Sequence, residues 1–492
     1  MTDRHINLDD WQEELKRKTI TPEEAVKLIK SGDNVFIPST YLGGLPRVLV
    51  DRADELRNVT VEIQAPLNDP GWLTPGMEDA FTIIPRIFLG PTAREAHDEG
   101  RVAFLPYTNS TWFKLYRDGR GGPRDIDVLL VDVSLPDENG FMTFGAHLWE
   151  RATYARRAKK IIAELDPNAI RSHGDTFIHV SQVDHIVDMS ADSFTKEEMD
   201  LLLSKIPAEV REQAFERFES FTPRRLRNFL ERVDDIDPER LILLFGGETA
   251  DEVSTAIARN LKPLVRDADT IQIGIGHPSR FIVELGVFDD ANDLAIFSEM
   301  ACPEMGFLVK RGIATGKYAT LHPGKAVFGA LTGMTREEMD WANDNPLLEQ
   351  YSVDYVVNIG NIIKQKNMLA INNAIQIDLT GQITSETQFG PRMINGPGGQ
   401  IEFQIGAFSA PGGRAVTLLN STWGDGAIST IVPQLEQGSL VTVPRSYADY
   451  IITEWGVAEL AGKTHKERAE ALTEIAHPDF RDELREAAKY IF

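Results

Sequence analysis

The residue of this chain best suited to chemistry is a lone carboxylate, Glu299. It lies in Ser298-Glu299-Met300, directly after the apolar, strand-like run Leu294-Ala295-Ile296-Phe297. A carboxylate at the end of a buried strand loses solvation, so nucleophilic or acid–base chemistry is one reason for its presence. The ordinary alternative is a solvated edge residue or one half of an ion pair. Glu299 alone does not decide between these two interpretations.

A second candidate is the glycine loop Gly396-Pro397-Gly398-Gly399-Gln400. Glycines let backbone N–H groups approach a ligand closely and converge on one oxygen atom. The loop lacks the Lys-Ser/Thr pair of a P-loop and the third glycine of a dinucleotide-binding fingerprint, so neither nucleotide site is favoured. A plain turn is the alternative here.

Composition excludes several classes of partner. The 492 residues carry a formal charge of −24, with 51 Lys and Arg against 75 Asp and Glu. Nucleic acids and anionic membrane surfaces both require a basic face, so neither is expected as a partner. The N-terminus is polar, and no apolar run approaches the roughly 18 residues that span a bilayer. We therefore expect a cytoplasmic protein.

Metal and disulfide chemistry are not indicated either. Cys302 is the single cysteine, which excludes an internal disulfide and suggests a buried, inert thiol in a reducing compartment. The N-terminal half contains scattered histidines without ligand-like spacing, namely His147, His173, His179 and His185. We expect no metal site.

The elements that must position these candidates alternate between strand and helix. Thr21-Pro22-Glu23-Glu24 predicts a capped helix start, and Asn34–Ile37 predicts the strand that follows. Further strands are predicted at Val59–Ile63, Phe81–Phe88, Val102–Leu105 and Val128–Val133. The pattern indicates an α/β fold with mostly parallel sheets covered by helices on both faces.

A weak internal repeat indicates two related halves. Asp269-Thr270-Ile271 with a following Gly276-His277-Pro278 matches Asp33-Asn34-Val35 with Gly44-Leu45-Pro46, each leading to an apolar helix start. A charged helical stretch separates the halves and opens with the capping box Thr195 to Glu198. We predict an N-terminal α/β domain over 1–189, a helical insert or linker over 190–240, and a C-terminal α/β domain over 241–492.

An ordered series of motifs in the C-terminal half resembles one known family. The motifs are Ile371-Asn372-Asn373-Ala374, Asp378-Leu379-Thr380-Gly381-Gln382, Gly396-Pro397-Gly398-Gly399-Gln400-Ile401-Glu402-Phe403, Ser409-Ala410-Pro411-Gly412-Gly413 and Ile452-Thr453-Glu454-Trp455-Gly456. They resemble the acetyl-CoA hydrolase/transferase family, and the 4-hydroxybutyrate CoA-transferase branch of class I CoA-transferases looks most similar. The resemblance is strong from about Thr270 onward, looser from Pro22 to Asp188, and absent across the helical insert.

The resemblance implies two CoA-transferase α/β domains with the active site between them. It places the catalytic glutamate at Glu299 and identifies Gly398 as the best oxyanion donor of the loop, with Gly396 and Gly399 beside it. A second donor is expected from the Gly274-Ile275-Gly276 turn, so Ile275 is a candidate. Asn358 is a candidate substrate-loop residue, with ordinary turn chemistry as the alternative. Gly276, Gly398 and Gly399 are the candidate coenzyme A contacts.

The implied activity is that of an acyl-CoA:carboxylate CoA-transferase, an enzyme of the EC 2.8.3 type. The expected substrates are an acyl-CoA, with acetyl-CoA as donor, and a small carboxylic acid; no bound cofactor and no metal are expected. An acetyl-CoA hydrolase using the same glutamate and a non-catalytic CoA-binding protein are the alternatives. Related enzymes are commonly homodimers or homotetramers. Glu454, another strand-end carboxylate, is interpreted as structural.

Overall fold

The computed structural model describes residues 4–38, 44–66, 69–87, 89–118, 120, 124–188, 194–218, 226–227, 229–230, 233–245 and 249–491. Its strands are β1 (Asn34–Ile37), β2 (Val59–Ile63), β3 (Phe81–Pro85), β4 (Val128–Val133), β5 (Phe141–Thr143), β6 (Lys160–Leu165), β7 (His173–Gly174), β8 (Phe177–His179), β9 (His185–Asp188), β10 (Thr270–Ile273), β11 (Ala295–Met300), β12 (Ala326–Ala330), β13 (Leu348–Gln350), β14 (Met368–Asn373), β15 (Gln376–Asp378), β16 (Ile383–Thr384), β17 (Arg414–Leu418), β18 (Thr422–Trp423), β19 (Ile428–Ser429), β20 (Ile431–Val432), β21 (Tyr450–Thr453) and β22 (Gly456–Glu459).

The described α-helices are α1 (Trp11–Lys18), α2 (Pro22–Lys27), α3 (Leu45–Val50), α4 (Gly90–Asp98), α5 (Asn109–Asp118), α6 (Arg151–Ala155), α7 (Lys196–Ser204), α8 (Arg211–Phe218), α9 (Pro238–Phe245), α10 (Glu252–Leu261), α11 (Met305–Lys310), α12 (Arg336–Ala342), α13 (Val353–Val356), α14 (Ile359–Lys364), α15 (Gln400–Ser409), α16 (His465–Glu474) and α17 (Arg481–Ile491). Short 3₁₀ turns include Ser279–Phe281 and Arg445–Tyr447. No described helix is both long and apolar enough to cross a bilayer.

Two large sheets organise the chain. The first has six parallel strands in the order β3-β2-β1-β4-β6-β9. The second has nine strands in the order β22-β21-β17-β14-β10-β11-β12-β13-β7, and all its pairs are parallel except β21 with β22. Strands such as β4 are buried along their whole length, as parallel strands covered on both faces must be. The predicted α/β fold is confirmed.

The second sheet takes its last strand from the first half of the chain. β7 pairs with β13 through Glu349↔His173 and Gln350↔Gly174. The Gln350 side chain adds two further links, because its Oε1 accepts from Leu148 N at 3.1 Å and its Nε2 donates to Gly145 O at 2.8 Å. The two halves therefore share one sheet, and hydrogen bonds from the Gln350 side chain join them beside it.

Local sequence signals account for most element boundaries. The capping boxes at Thr21 and Thr195 both form, since each hydroxyl accepts from the N–H of the residue three positions later. The predicted strands at Asn34–Ile37, Val59–Ile63 and Val128–Val133 occupy those same residues.

Three local predictions differ from the structure. The segment Val102–Leu105 is not a strand; it runs beside β3 with hydrogen bonds from Ala103 N to Ile83 O and from Leu105 N to Pro85 O. β3 ends at Pro85, and the last predicted residue of that strand, Phe88, lies outside the described residues. The second copy of the repeat has the 3₁₀ turn Ser279–Phe281, followed by further turns over 282–290, where the first copy has α3.

The helical insert has a small core of its own. Its described part includes α7, α8 and α9 and buries these apolar side chains from the helices and their connections against one another: Leu202, Ile206, Val210, Ala214, Phe218, Leu226, Val233 and Leu241. A cluster that packs on itself in this way is typical of an added helical unit. The domain boundaries at 189 and 240 stay predictions, and α9 extends past the second of them.

Candidate active site

Three neighbouring strands bring the candidate residues to one edge of the nine-stranded sheet. β10 pairs with β11 through Ile271↔Ile296 and with β14 through Ile273↔Ile371. Continuing this parallel register places Gly274, Glu299 and Asn372 level with one another. The carboxyl ends of parallel strands are where α/β folds bind ligands.

Glu299 is held at this edge by one donor on each carboxylate oxygen. Asn109 Nδ2 donates to Oε1 at 3.0 Å, and Gly399 N donates to Oε2 at 3.1 Å. Asn109 is the first residue of α5 in the N-terminal half, whereas Gly399 precedes α15 in the C-terminal half. The carboxylate therefore lies where the two halves meet.

The glycine loop is shaped for this contact. A side chain at Gly399 would collide with the Glu299 carboxylate, and one at Gly396 would collide with the Ile87 carbonyl. Only glycine lets the backbone approach so closely at these two positions. Gln400 anchors the end of the loop by donating from Nε2 to Asn373 O at 2.9 Å.

Asn109 is itself oriented by a second amide. Gln64, which follows β2, donates from Nε2 to Asn109 Oδ1 at 2.9 Å. Both side chains are buried. Because the Asn109 oxygen is occupied by this donor, its NH₂ group must face Glu299.

A second carboxylate, Glu402, lies one helical turn after Gly399. Glu402 is buried on α15, and its Oε1 accepts from Ser110 N at 3.1 Å and from Ser110 Oγ at 2.8 Å. Consecutive residues of α5, Asn109 and Ser110, thus each hold one carboxylate of the C-terminal half.

The electrostatics of the site are set by burial without a counter-ion. Burial raises the pKa of Glu299 above its usual range, and the neighbouring Glu402 carboxylate raises it further. The hydrogen bonds from Gly399 and Asn109 act in the opposite direction. Within the described part of the chain, no cationic side chain forms an ion pair with either carboxylate. Such a carboxylate keeps a reactive lone pair that an arginine would mask.

The structure brings some of the predicted site residues together. Glu299, Gly396 and Gly399 lie in one cluster, and the backbone donor on Glu299 is Gly399 N. Gly398, the donor favoured from the resemblance, directly precedes Gly399 and has a left-handed backbone conformation with φ +56°. Its role as an oxyanion donor, like the coenzyme A contacts of Gly398 and Gly399, stays a prediction.

The other predicted residues have local tasks. Gly276 packs against the side chain of Asn373. Asn373 Oδ1 accepts from Ser279 N at 3.1 Å, and Asn373 Nδ2 donates to Ser279 Oγ at 2.7 Å. Ile275 is exposed between Gly274 and Gly276. Asn358 caps α14 and accepts from Gly360 N at 2.9 Å. No described hydrogen bond joins Asn358 to Glu299, so its substrate role also stays a prediction.

Sequence reasoning missed Asn109 and Gln64 and assigned no role to Glu402. One signal was available for the first, because Thr108-Asn109-Ser110-Thr111 is a run of four polar residues directly before the apolar Trp112-Phe113. Such a run is typical of a helix start, which exposes polar side chains and backbone N–H groups.

The remaining candidates have ordinary environments. Cys302 is buried with its Sγ 4.0 Å from Met305 Sδ, and burial raises the pKa of the thiol. Glu454 accepts from Ser421 N at 3.0 Å and from the Ser421 hydroxyl. Among the described residues, no group of three or more His, Cys, Asp or Glu side chains could hold a metal ion.

Comparison with known proteins gives consistent matches along the chain. Residues 2–192 match the acetyl-CoA hydrolase/transferase N-terminal domain, and residues 335–488 match the C-terminal domain of the same family. The 4-hydroxybutyrate coenzyme A transferase of Clostridium kluyveri is 34% identical over 98% of this chain and 100% of its own length. The succinyl-CoA:cyclohexane-1-carboxylate CoA transferase of Geobacter metallireducens is 31% identical, with 97% of each chain covered. RipA from Yersinia pestis superposes with a TM-score of 0.78 at 27% identity, covering 98% of this chain and 99% of that one.

Proposed function

Because this chain belongs to the acetyl-CoA hydrolase/transferase family, we propose that it is an acyl-CoA:carboxylate CoA-transferase whose covalent nucleophile is Glu299. The observation that supports the assignment most strongly is the environment of that carboxylate. Glu299 lies between the two halves with a donor on each oxygen, and no described cation pairs with it.

The first half-reaction loads coenzyme A onto the enzyme. A Glu299 oxygen attacks the thioester carbonyl, the C–S bond breaks, and coenzyme A leaves as its thiolate, which gives an acyl-glutamyl anhydride. The thiolate then attacks the glutamyl carbonyl and expels the acyl group as a carboxylate. The enzyme is left as a glutamyl-CoA thioester.

The second half-reaction reverses these steps with another acid. The incoming carboxylate attacks the glutamyl thioester and releases the thiolate, which attacks the acyl carbonyl of the new anhydride. The products are a new acyl-CoA and free Glu299. The energy of the thioester bond is conserved throughout, so these steps need neither ATP nor a metal.

The two donors on Glu299 have distinct tasks in these steps. Each attack on the glutamyl carbonyl creates a tetrahedral oxyanion, and Gly399 N already points at one carboxylate oxygen. Asn109 fixes the other oxygen and so the plane of the carboxylate. A donor that is in place before the reaction costs no reorganisation in the transition state.

Covalent trapping tests the proposed nucleophile. Enzyme incubated with acetyl-CoA and quenched with borohydride should carry the reduced alcohol of one glutamate, and peptide mass spectrometry should find it at Glu299. Glu299→Gln is the matched control and should show no modification. Modification at another residue, or none in the wild type, would overturn the assignment.

An acceptor panel separates transferase from hydrolase. We propose acetyl-CoA as the donor and a short, hydroxylated or dicarboxylic acid as the acceptor. A transferase forms a new acyl-CoA only when the acceptor is present and shows ping-pong kinetics. A hydrolase, the alternative activity, releases coenzyme A from acetyl-CoA in buffer alone.

The proposed assembly and location complete the assignment. We propose a cytoplasmic homodimer or homotetramer that acts on acyl-CoA and small carboxylates, without nucleic acid or membrane partners. The charge of −24 supports the exclusion of polyanionic partners. Light scattering on the purified enzyme measures the oligomeric state directly.

A further inference from the structure

Glu299 and Glu402 form a pair of carboxylates that are not equivalent. On Glu299 the two donors are divided, one to each oxygen. On Glu402 both donors of Ser110 bind the same oxygen, Oε1. The other oxygen, Oε2, is buried and has no hydrogen-bond partner among the described residues.

This asymmetry determines where a proton fits. A protonated carboxyl needs one oxygen that is free to carry hydrogen, and Glu402 Oε2 is such an atom. Both oxygens of Glu299 already face donors, which favours its ionised form. Glu402 is also the more deeply buried of the two, so a charge on it is less well solvated.

No other described charge near Glu402 alters this conclusion. α15 packs against α14, β14, β17 and the turn Arg445–Tyr447, and its Glu402 contacts α5. The cationic side chains on these elements do not face Glu402: Lys364, Arg445 and Lys114 are exposed, and Arg414, at the start of β17, is paired with Asp269. The Tyr447 ring packs on Phe408. Among the described side chains, Glu299 is therefore the charged group that faces Glu402.

We infer that Glu402 holds a proton in the working enzyme, so that Glu299 is the single anionic member of the pair. This inference rests on the proposed role of Glu299 as nucleophile. Glu402 acts through Glu299 and not on the substrate, which makes it a positioning residue. A second negative charge beside Glu299 would oppose the oxyanion that forms during each attack.

Burial raises the pKa of both carboxyls, that of Glu299 to about 8 with the Glu402 carboxylate beside it, so the arrangement of donors, and not the pKa shift, places the proton. The nearby Thr108 hydroxyl and the hydrogen bonds from Ser110 oppose this rise in the pKa of Glu402. With Glu402 neutral, the repulsion that raises the pKa of Glu299 disappears and its two hydrogen bonds favour the anion.

Glu402→Gln tests the inference through the pH profile of kcat, because glutamine mimics the neutral carboxyl in size and hydrogen bonding. The wild type should lose about tenfold activity on the alkaline side as Glu402 ionises, whereas the variant should lose that alkaline limb and keep the acid limb in place. If the acid limb instead moves by about one pH unit or more to lower pH, the proton resided on Glu299 and the inference is wrong. Glu386→Gln is the control, since Glu386 is another buried glutamate, bonded to Thr442; it should keep both limbs.

Infrared spectroscopy tests the same inference without any activity. A buried protonated carboxyl has a C=O stretching band, which should appear in the wild-type-minus-variant difference spectrum of Glu402→Gln at neutral pH and be absent from that of Glu299→Gln. The opposite pattern, or no difference band for either variant, overturns the inference. Because this measurement needs no turnover, it decides the inference even if trapping shows that Glu299 is not the nucleophile.

Discussion

Helix α5 separates two buried acidic clusters that have opposite designs. At its start, Asn109 and Ser110 hold Glu299 and Glu402 with neutral donors. One turn later, the Trp112 ring packs on the Arg86 guanidinium, 5.4 Å from its carbon to the ring centre. Arg86 lies 3.7 Å from a Glu62 oxygen and 3.4 Å from a Glu150 oxygen.

The difference between the clusters lies in the counter-charge. The Arg86 cluster contains a cation for its carboxylates and three aromatic rings, Phe36, Trp112 and Tyr154, around that cation. It is built to be stable, since a buried carboxylate with no cation is expensive. The Glu299 cluster has no such cation among the described residues, which fits the proposed role of Glu299 as nucleophile. Under that proposal, a structural acid and a catalytic acid differ in their partners even though both are buried.

The largest expected effect is on activity, from Glu299→Gln. Removing the proposed nucleophile should lower kcat/KM by a factor on the order of 10⁴ or more. The same change removes an uncompensated buried charge, so Tm should rise by about 2–5 °C above neutral pH. Calorimetry and the transfer assay on one preparation measure both. A fall in Tm would contradict the contrast between the clusters.

The next largest effect is expected on stability, from Arg86→Met in the Arg86 cluster. The change leaves Glu150 buried without its ion-pair partner and leaves Glu62 with only the exposed Arg124, so the free energy of unfolding should fall by about 3–5 kcal/mol. Urea denaturation measures this loss. Arg336→Met is the control, since the exposed Arg336–Asp340 pair is worth under about 1 kcal/mol. Equal losses in both variants would show that the Arg86 cluster is not structural.

A smaller effect is expected from Asn109. Asn109→Ala removes one donor from Glu299 and should lower kcat about ten- to hundredfold with a minor change in KM. Asn109→Asp adds a carboxylate, which raises the pKa of Glu299 and moves the acid limb of the profile upward. Asn260→Ala, which removes a hydrogen bond to Thr453 O elsewhere, is the control. An unmoved acid limb in Asn109→Asp would contradict the contact.

The smallest effect concerns the pH dependence of stability. Burial raises the pKa of Glu150 from 4.5 to about 7, ahead of the opposing effect of Arg86. Between these values the folded protein binds more protons than the unfolded chain, so stability falls as pH rises, by up to a few kcal/mol. Glu150→Gln lacks this group and should show a flatter change in Tm from about pH 5 to about pH 8. Parallel curves of Tm against pH for the variant and the wild type would show that the pKa of Glu150 is not raised in the folded protein.

The sequence predicted what depends on local pattern. Short runs rich in apolar and β-branched residues located β1, β2 and β4 to the residue, and the capping box of α2 followed from Thr21 and Glu24. The isolated carboxylate Glu299 and the glycines at 396 and 399 also stood out by type and spacing. The interpretation as an acetyl-CoA hydrolase/transferase family member is confirmed by both domain matches.

The sequence could not predict what depends on contact between distant segments. Asn109 is 190 positions from Glu299, and nothing in its own neighbourhood indicates that partner. Val102–Leu105 has the composition of a strand, but two hydrogen bonds to β3 do not make it one. Likewise, the pattern of Met368–Asp378 predicts one buried strand with a polar interruption, yet the structure has two strands of different sheets there, β14 ending at Asn373 and β15 beginning at Gln376.

The pairing of β7, from the first half of the chain, with β13 of the second sheet has a consequence for how the protein can evolve and be engineered. Removing the first half of the chain would leave β13 as an open edge with unpaired N–H and C=O groups, and such edges recruit other chains. Gly174 is also packed so closely against the Gln350 backbone that any side chain would collide with it. Replacing one half with that of a relative would therefore require β7 to be exchanged together with β13. Expressing the two halves as separate chains would yield two fragments that are prone to aggregate until they associate.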